Sequence, residues 1–215
     1  MLALKGCVLS TLGVGSGDVV GELTRRLMEW YSANRREFPW RVGMSSEWQV
    51  ALTAILLRKT RAETVAKHYR EIVTALRSPE HALRLGVEGI ERLLRPLGLH
   101  RTRARQIHAL AGRWGSGSSE LPGLGPYARA LIECLVHRRL VPVLDVNTVR
   151  VVKRVLGVES AEEAVGRIVE HAGTCEANLA LMDFAALVCT ARRPRCGKCP
   201  LRDLCAYASQ SGLDA

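Results

Sequence analysis

The 215-residue sequence is poor in aromatic residues, which make up 5% of the chain, and it has no long hydrophobic run. Because a membrane-spanning helix needs about 18 consecutive apolar residues, this absence excludes one. Apolar residues at 47% and charged residues at 24% are typical of a globular protein and exclude a disordered chain. Residues 1–14 lack the layout of a signal peptide, so we expect a poorly ordered N-terminus on a cytoplasmic protein.

Acidic residues are also scarce, since 31 basic residues face 21 acidic ones and the net charge is +10. Only five of the basic residues are lysines; the others are arginines, whose planar guanidinium suits bidentate contacts with phosphate. Between Arg92 and Ser119 there are six arginines and no acidic residue. This balance favours a polyanionic partner, nucleic acid, over a merely solvated basic surface.

Four of the seven cysteines lie close together near the end of the sequence. They are Cys189, Cys196, Cys199 and Cys205, separated by six, two and five residues. Four closely spaced thiolates hold either one tetrahedral zinc ion or a [4Fe–4S] cluster. The spacing differs from the paired C-x2-C motifs of a zinc ribbon, so we predict a metal site that holds a [4Fe–4S] cluster, with zinc as the alternative.

Helical periodicity dominates the chain and predicts an all-α protein. The predicted helices include Val20–Tyr31, Trp48–Leu57, Ala62–Leu76, Arg103–Trp114, Tyr127–Val136 and Ala177–Val188. Capping boxes are predicted for Ser46 with Gln49, Thr60 with Glu63 and Ser160 with Glu163. The β-branched run after Val141 is also typical of a strand, but a single strand would have no partner. We therefore expect Asp145 to begin another helix.

A short hairpin, Leu121-Pro122-Gly123-Leu124-Gly125, separates two of the predicted helices. Gly123 and Gly125 can adopt positive φ and can let the backbone approach a ligand closely. The helix that follows would present unpaired N–H groups and the positive end of its dipole to a phosphate. The alternative is an ordinary turn between helices, but the basic surroundings favour binding to a phosphate backbone.

The hairpin and the cysteine spacing, in this order, resemble the helix–hairpin–helix DNA glycosylases with a C-terminal iron–sulfur loop, the group of endonuclease III and adenine–mismatch glycosylase. Leu144–Val151, with Asp145, resembles the family segment that carries an essential aspartate. The resemblance spans Phe38 to Tyr207 and implies two helical subdomains with a DNA-binding cleft between them. Residues 38–140 would form the subdomain with the hairpin, and residues 15–37 plus 141–215 the subdomain with the cluster.

The resemblance also assigns roles near the reaction centre. Asp145 would be the catalytic carboxylate beside the sugar, a role compatible with capping a helix. Tyr127 stands where bifunctional members carry a lysine that forms a Schiff base, so it would line the pocket instead; core packing is its alternative. Ala54 stands where adenine-removing members, and also thymine-removing ones, carry a glutamate. Asp183, on an apolar helix face, is expected to be a structural hydrogen-bonding group.

The resemblance also implies double-stranded DNA with a mismatched base as the partner, and it places further residues against that DNA. Arg58 and Lys59 fall where related enzymes fill the gap left by a flipped nucleotide, with a surface phosphate contact as the alternative for Arg58. Leu99 or His100 would wedge the strand. The hairpin would bind the phosphate backbone through Leu121, Gly123 and Gly125.

The resemblance is greatest to the Mig-type thymine/uracil mismatch glycosylases. It implies a monofunctional enzyme of base excision repair that flips and excises thymine or uracil from T/G and U/G mismatches, acting as a monomer at the nucleoid. One alternative is an adenine glycosylase acting on A/G or A/8-oxoguanine. The others are an endonuclease III-like AP lyase and a non-enzymatic DNA-binding module with a structural metal.

Overall fold

A computed structural model describes residues 19–42, 46–116 and 121–210, so the N-terminus predicted to be poorly ordered lies outside the described residues. The described residues form helices and no strand, which confirms the all-α prediction. None of these helices is long and apolar enough to cross a membrane. The chain divides into two compact units, of which the first comprises the described residues up to Arg36 and from Leu140 onward. The second is Glu37–Arg139.

The α-helices of the described residues follow in chain order. They are α1 (Val19–Asn34), α2 (Glu47–Leu57), α3 (Ala62–Ala75), α4 (Pro79–Leu94), α5 (His100–Arg113), α6 (Pro126–Leu135), α7 (Val146–Leu156), α8 (Ala161–Ala172), α9 (Glu176–Leu187) and α10 (Ala206–Gln210). Short 3₁₀ helices lie at Pro39–Arg41, Arg95–Leu97, Cys196–Lys198 and Arg202–Leu204.

In the second unit, α2 is the central helix and packs against α3, α5 and α6. It is apolar on all sides, and its side chains from Val50 to Leu56 are buried. Burying one such side chain fully, as at Leu52 and Ile55, contributes roughly 1.5–3 kcal/mol. The helices α4 and α5 pack along each other and complete this core.

In the first unit, α9 packs against α1, α7 and α8. Phe184 of α9 is fully buried, and its ring meets that of Trp30 edge-to-face at 5.1 Å between centroids. The helix α7 also packs against α10. This unit therefore combines α1 with helices that lie more than 100 residues later in the sequence.

Two of the three predicted capping residues are confirmed, and one is wrong. Ser46 and Ser160 cap α2 and α8 by accepting hydrogen bonds from backbone N–H groups, as predicted. Thr60 does not cap α3, because the N-cap residue is Arg61. The Thr60 hydroxyl instead donates to the carbonyl oxygen of Leu97 at 3.2 Å. A contact distant in sequence has replaced the local one.

The β-branched segment before Asp145 is confirmed as the approach to a helix. Its backbone is held by Asn178 of α9, whose side chain is 1% exposed. Asn178 Oδ1 accepts from the Val143 N–H at 2.9 Å, and its Nδ2 donates to the Val141 carbonyl oxygen at 3.0 Å. A buried amide thus satisfies backbone groups that a neighbouring strand would otherwise pair.

Candidate functional site

Asp145 is the N-cap residue of α7, and its carboxylate is held on both oxygens. Oδ1 accepts hydrogen bonds from the backbone N–H groups of Asn147 at 2.8 Å and Thr148 at 2.7 Å. Oδ2 accepts from Asn147 Nδ2 at 3.0 Å. Thr148 Oγ1 accepts in return from the Asp145 N–H at 2.9 Å, which completes a capping box. The carboxylate is half-buried, and it accepts the three hydrogen bonds from Asn147 and Thr148.

A chain of hydrogen bonds continues from this cap to the first cysteine of the cluster loop. Arg150 Nη1 donates to Asn147 Oδ1 at 2.8 Å, and its Nε and Nη2 donate to the Cys189 carbonyl oxygen at 3.2 and 3.0 Å. One turn later, Arg154 Nη1 donates to the Thr190 carbonyl oxygen at 2.8 Å and lies 3.7 Å from Cys189 Sγ. The two arginines, which sequence analysis did not single out, anchor Cys189 to α7.

The four clustered cysteines have free thiols. Burial in the first place, together with the neighbouring thiols of Cys205, Cys189 and Cys196, raises the pKa of the Cys199 thiol to about 11. Within the part of the chain that the structure describes, no three His, Cys, Asp or Glu side chains converge closely enough to hold a single metal ion. Four thiols within electrostatic range of each other match the donor chemistry of an iron–sulfur cluster.

The cluster loop is also held from α1. Arg26 Nη1 donates to Asp203 Oδ1 at 2.6 Å and to the Pro200 carbonyl oxygen at 3.3 Å. Its Nε donates to Glu22 Oε1 at 2.6 Å. Hydrogen bonds from Arg25, which has the larger effect, and from Arg26 lower the pKa of Glu22 to about 2. The loop is therefore fastened from two helices of the first unit.

In the second unit, the predicted hairpin is a tight turn in which the Leu124 N–H donates to the Leu121 carbonyl oxygen at 3.0 Å. Gly123 uses the conformational freedom of glycine, with φ +81°, and an added Cβ would lie 3.4 Å from Ile55 Cδ1. Gly125 does not adopt positive φ: its φ is −78° and its ψ is 178°. Pro126 favours this extended conformation in the residue before it. Gly125 is exposed and is the N-cap residue of α6, so its surroundings stay open.

The side chains predicted to contact DNA from two turns of the second unit are largely exposed. Arg58 and Lys59 follow α2, and the Arg58 Nη2 donates to the Gly123 carbonyl oxygen in the hairpin. Leu99 is 52% exposed and precedes α5. His100 is the first residue of α5, and its Nε2 lies 3.7 Å from Glu91 Oε1.

The predicted site residues divide between the two units. The first unit brings together Asp145 and the cysteine cluster through α7. The second brings Arg58 to the hairpin and carries Tyr127, half-buried in the first turn of α6. Arg103, which sequence analysis included in the basic surface, is instead buried, at 2% exposure. Asn178 was not predicted, and its place on an apolar helix face is the signal that indicates a structural amide.

Comparison with known proteins finds two family models that match this chain. Residues 52–172 match the family model of the HhH-GPD superfamily base excision DNA repair proteins. Residues 189–205, from the first to the last cysteine of the cluster, match the iron–sulfur binding domain of endonuclease III.

Individual relatives are similar over most of the chain. A thymine-DNA glycosylase from Aeropyrum pernix is 34% identical over 86% of this chain and 93% of its own length. A thymine/uracil-DNA glycosylase from Methanothermobacter thermautotrophicus is 31% identical over 84% and 90%. The solved structure of a thermostable thymine-DNA glycosylase superposes with a TM-score of 0.82 at 28% identity, covering 89% of this chain and 97% of that one.

Family and cofactor follow from these matches. The match to the iron–sulfur domain confirms the predicted [4Fe–4S] cofactor, and the superfamily match confirms both the helix–hairpin–helix fold and DNA as the substrate. The chain belongs to the HhH-GPD superfamily of base excision DNA repair proteins and is an iron–sulfur DNA glycosylase.

Proposed function

We propose that the protein is a monofunctional glycosylase that excises thymine or uracil from T/G and U/G mismatches, acting as a monomer on cytoplasmic, nucleoid DNA. The observation that carries this proposal is Tyr127 in the first turn of α6, directly after the hairpin. A phenol has no amine and forms no imine with an abasic sugar, so the enzyme hydrolyses the glycosidic bond and releases the base without cutting the strand. The relatives named thymine-DNA and thymine/uracil-DNA glycosylase support pyrimidine as the base.

Asp145 supplies the negative charge that stabilises the sugar cation during hydrolysis of the glycosidic bond. As the bond between C1′ and the base nitrogen breaks, its electron pair leaves with the pyrimidine and positive charge develops on the sugar. The carboxylate, oriented by the N–H groups of Asn147 and Thr148, stabilises that charge. A water molecule then bonds to C1′, and the proton it loses balances the charge of the departing base.

The base has to leave the duplex before this reaction, because the glycosidic bond is inaccessible in the stack. A T/G or U/G pair costs less to open than a matched pair, which contributes selectivity. Exposed Leu99 wedges the strand, with His100 beside it. Arg58 and Lys59 occupy the space of the flipped nucleotide, and the hairpin residues Leu121, Gly123 and Gly125 bind phosphate.

The cluster has a structural part in this proposal. Its ligands are Cys189, Cys196, Cys199 and Cys205. When bound, the cluster cross-links four points of the loop and supplies no electron, because the hydrolysis is redox-neutral. Arg150 and Arg154 then connect the loop to the helix that Asp145 caps.

Adenine is the alternative base, and adenine DNA glycosylases are among the relatives. One from Mycobacterium tuberculosis is 32% identical over 84% of this chain and 66% of its own length. Removal of adenine requires protonation of the leaving purine by an acid. The side chain of Ala54, 4% exposed on α2, has no proton to give. A pyrimidine departs as an anion and does not need that acid.

The test is base release from labelled T·G, U·G and A·G duplexes, with and without alkaline treatment. We expect release of thymine and uracil, with strand breaks only after alkali. Release of adenine alone would overturn the assignment of the base, and strand breaks without alkali would overturn the monofunctional assignment. Binding without release of any base would favour the non-enzymatic DNA-binding module. Sedimentation of the free protein tests the monomeric state.

A further inference from the structure

A buried arginine joins two surface turns of the second unit. Arg103 lies on α5 and is 2% exposed. Its Nη1 donates hydrogen bonds to the carbonyl oxygens of Leu97 at 3.2 Å and Gly98 at 2.7 Å. Its Nη2 donates to Thr60 Oγ1 at 2.6 Å and to the carbonyl oxygen of Arg58. One guanidinium thus contacts residues 58–60, here called the lysine turn, and residues 97–99, called the leucine turn.

Both turns contain a residue in the left-handed region although neither residue is glycine. Lys59 has φ 51° and Leu99 has φ 50°. Side chains with a Cβ adopt this conformation rarely and keep it only where surrounding contacts hold the backbone. The Arg103 hydrogen bonds end on the residues immediately before and after Lys59 and immediately before Leu99. Arg103 therefore holds the two backbones that present these exposed side chains.

Burial of this cation is costly, which argues against a role in stability alone. Desolvation lowers the pKa of Arg103, and the charge of Arg58 lowers it further. Its Nε has no hydrogen-bond partner among the residues that the structure describes. Apolar side chains of similar volume commonly replace a buried ion at no loss of stability. What an apolar side chain cannot do is donate to acceptors on two separate turns.

The lysine turn is in addition connected to the hairpin. The side chain of Arg58 reaches the carbonyl oxygen of Gly123, so the hairpin, the lysine turn and the leucine turn form one connected set. Each of the three carries residues assigned above to DNA contact. Segments held together before binding lose less conformational entropy when they engage the duplex.

We propose that Arg103 is a positioning residue that fixes the separation of the lysine and leucine turns, so that both enter the mismatched duplex together. The inference rests on the DNA contacts assigned under the proposed function and adds a residue that itself touches no DNA. Loss of Arg103 leaves phosphate binding in place, because the cationic surface and the hairpin remain. It impairs the opening of the base pair, which requires both turns at once.

Opening is measured with 2-aminopurine beside the mismatched thymine, in protein carrying Asp145→Asn so that no base is removed. In this background we compare Arg103→Lys and Arg103→Met with Arg70→Lys, a matched change at an exposed position of α3. We expect both Arg103 variants to open the duplex about tenfold less at saturation, since small misplacements carry large penalties. Affinity should stay within about threefold, because phosphate contacts dominate it. The Arg70 variant should match its parent.

A second pair of measurements separates positioning from a general structural defect. With Asp145 intact, single-turnover release of uracil is compared between two duplexes. One contains a U·G pair, and the other has uracil opposite an abasic site, where there is no base pair to open. Arg103→Lys should slow the first and spare the second. Thr60→Val, which keeps the cation and removes one of its acceptors, should act in the same direction and more weakly. Thermal melting records the folded fraction of every variant.

Equal slowing on both substrates, or normal opening by both Arg103 variants, would overturn the inference. So would a parent protein that opens no mismatch. Failure of the proposed function has a different signature: the unmutated protein releases no pyrimidine, while the Asp145→Asn background still opens the duplex in a way that depends on Arg103.

Discussion

The buried carboxylate of Asp183 accepts two hydrogen bonds from Arg36, one from its backbone N–H at 2.9 Å and one from its Nε at 2.7 Å. Asp183 is fully buried on α9, whereas the Arg36 side chain is 26% exposed. The pair fastens the segment after α1 to the helix at the centre of the first unit. Asp183 thus has the structural role that its apolar helix face predicts.

Asp183→Ala should destabilise the protein by about 3 to 5 kcal/mol, because it removes the buried carboxylate that accepts from the backbone N–H and the Nε of Arg36. Asp183→Asn should cost less, since an amide oxygen still accepts one of the two bonds. Urea unfolding measures both, with Arg70→Lys as the surface control. A loss below about 1 kcal/mol for the alanine variant would contradict the assignment.

Asp145→Asn should abolish base release and preserve the fold. Asparagine caps helices about as well as aspartate, so the free energy of unfolding should barely change. The charge that faces the sugar is lost, and release should fall by at least about 100-fold. Single-turnover assays and mismatch binding are measured on the same preparation. Asp145→Ala, which also removes the cap, should in addition lose about 1 kcal/mol of stability. Unchanged release by Asp145→Asn would remove this residue from the mechanism.

Tyr127→Lys should confer strand cleavage on the abasic product. The new amine stands one position after Pro126 in the first turn of α6, where it can condense with the sugar aldehyde. The readouts are strand breaks without alkali and a covalent protein–DNA adduct after borohydride reduction. Tyr127→Phe is the control and should show neither. If the lysine variant also shows neither, position 127 does not face the sugar.

Cys199→Ser should lower the iron content of the purified protein and its thermal midpoint, because cluster binding contributes to the folding of the loop. Iron and sulfide analysis, visible absorption and thermal melting measure the change. Reconstitution with iron and sulfide should restore the unmutated apoprotein and not the variant. An equal iron content in both proteins would exclude Cys199 from the ligand set.

The Glu22 carboxylate should make stability depend on pH in the acid range. Its pKa is lowered from 4.5 to about 2 by hydrogen bonds from Arg25 and Arg26. A carboxyl with a depressed folded pKa stabilises the protein above its unfolded pKa and loses that effect as pH falls through the folded one. Glu22→Gln should therefore be less stable than the parent near neutral pH, and the difference should shrink between pH 4.5 and 2. A difference that does not vary with pH would contradict this role.

The periodicity of apolar residues predicted the helices well, because the side chains that a helix buries must recur on one of its faces. In α3 the buried side chains of Val65, Tyr69 and Ile72 recur at helical spacing, and the predicted and observed bounds agree within one residue. The start of α7 at Asp145 was predictable for a similar reason: an aspartate before a β-branched helical face is a strong cap signal. The cluster loop was also predictable from local sequence, because its four cysteines lie within 17 positions of each other.

Contacts between distant residues were beyond local patterns. Thr60 has the spacing of a capping residue. Its hydroxyl oxygen instead accepts a hydrogen bond from Arg103, 43 positions later. In the sequence, Arg103 is one of six arginines between Arg92 and Ser119, and no residue near it in the sequence indicates that it is buried. Gly125 does not adopt the positive φ that glycine permits, because Pro126 favours an extended conformation in the residue before it. Asp145 is placed in a helix cap by sequence, but its connection to Cys189 requires tertiary structure.

The bridge from Arg26 to Asp203 has a consequence for how the protein is made. It joins residues 177 positions apart, so the unit that contains α1 stays incomplete until Asp203 has left the ribosome. The other unit is continuous from Glu37 to Arg139 and has all its helices available much earlier. During synthesis the unit with the hairpin is therefore the first to fold, while α1 waits with its apolar face unprotected. The four cysteines of the cluster loop, at positions 189–205, also follow the whole of that unit in the chain, so the cluster has its full set of thiols only after the unit has been synthesised.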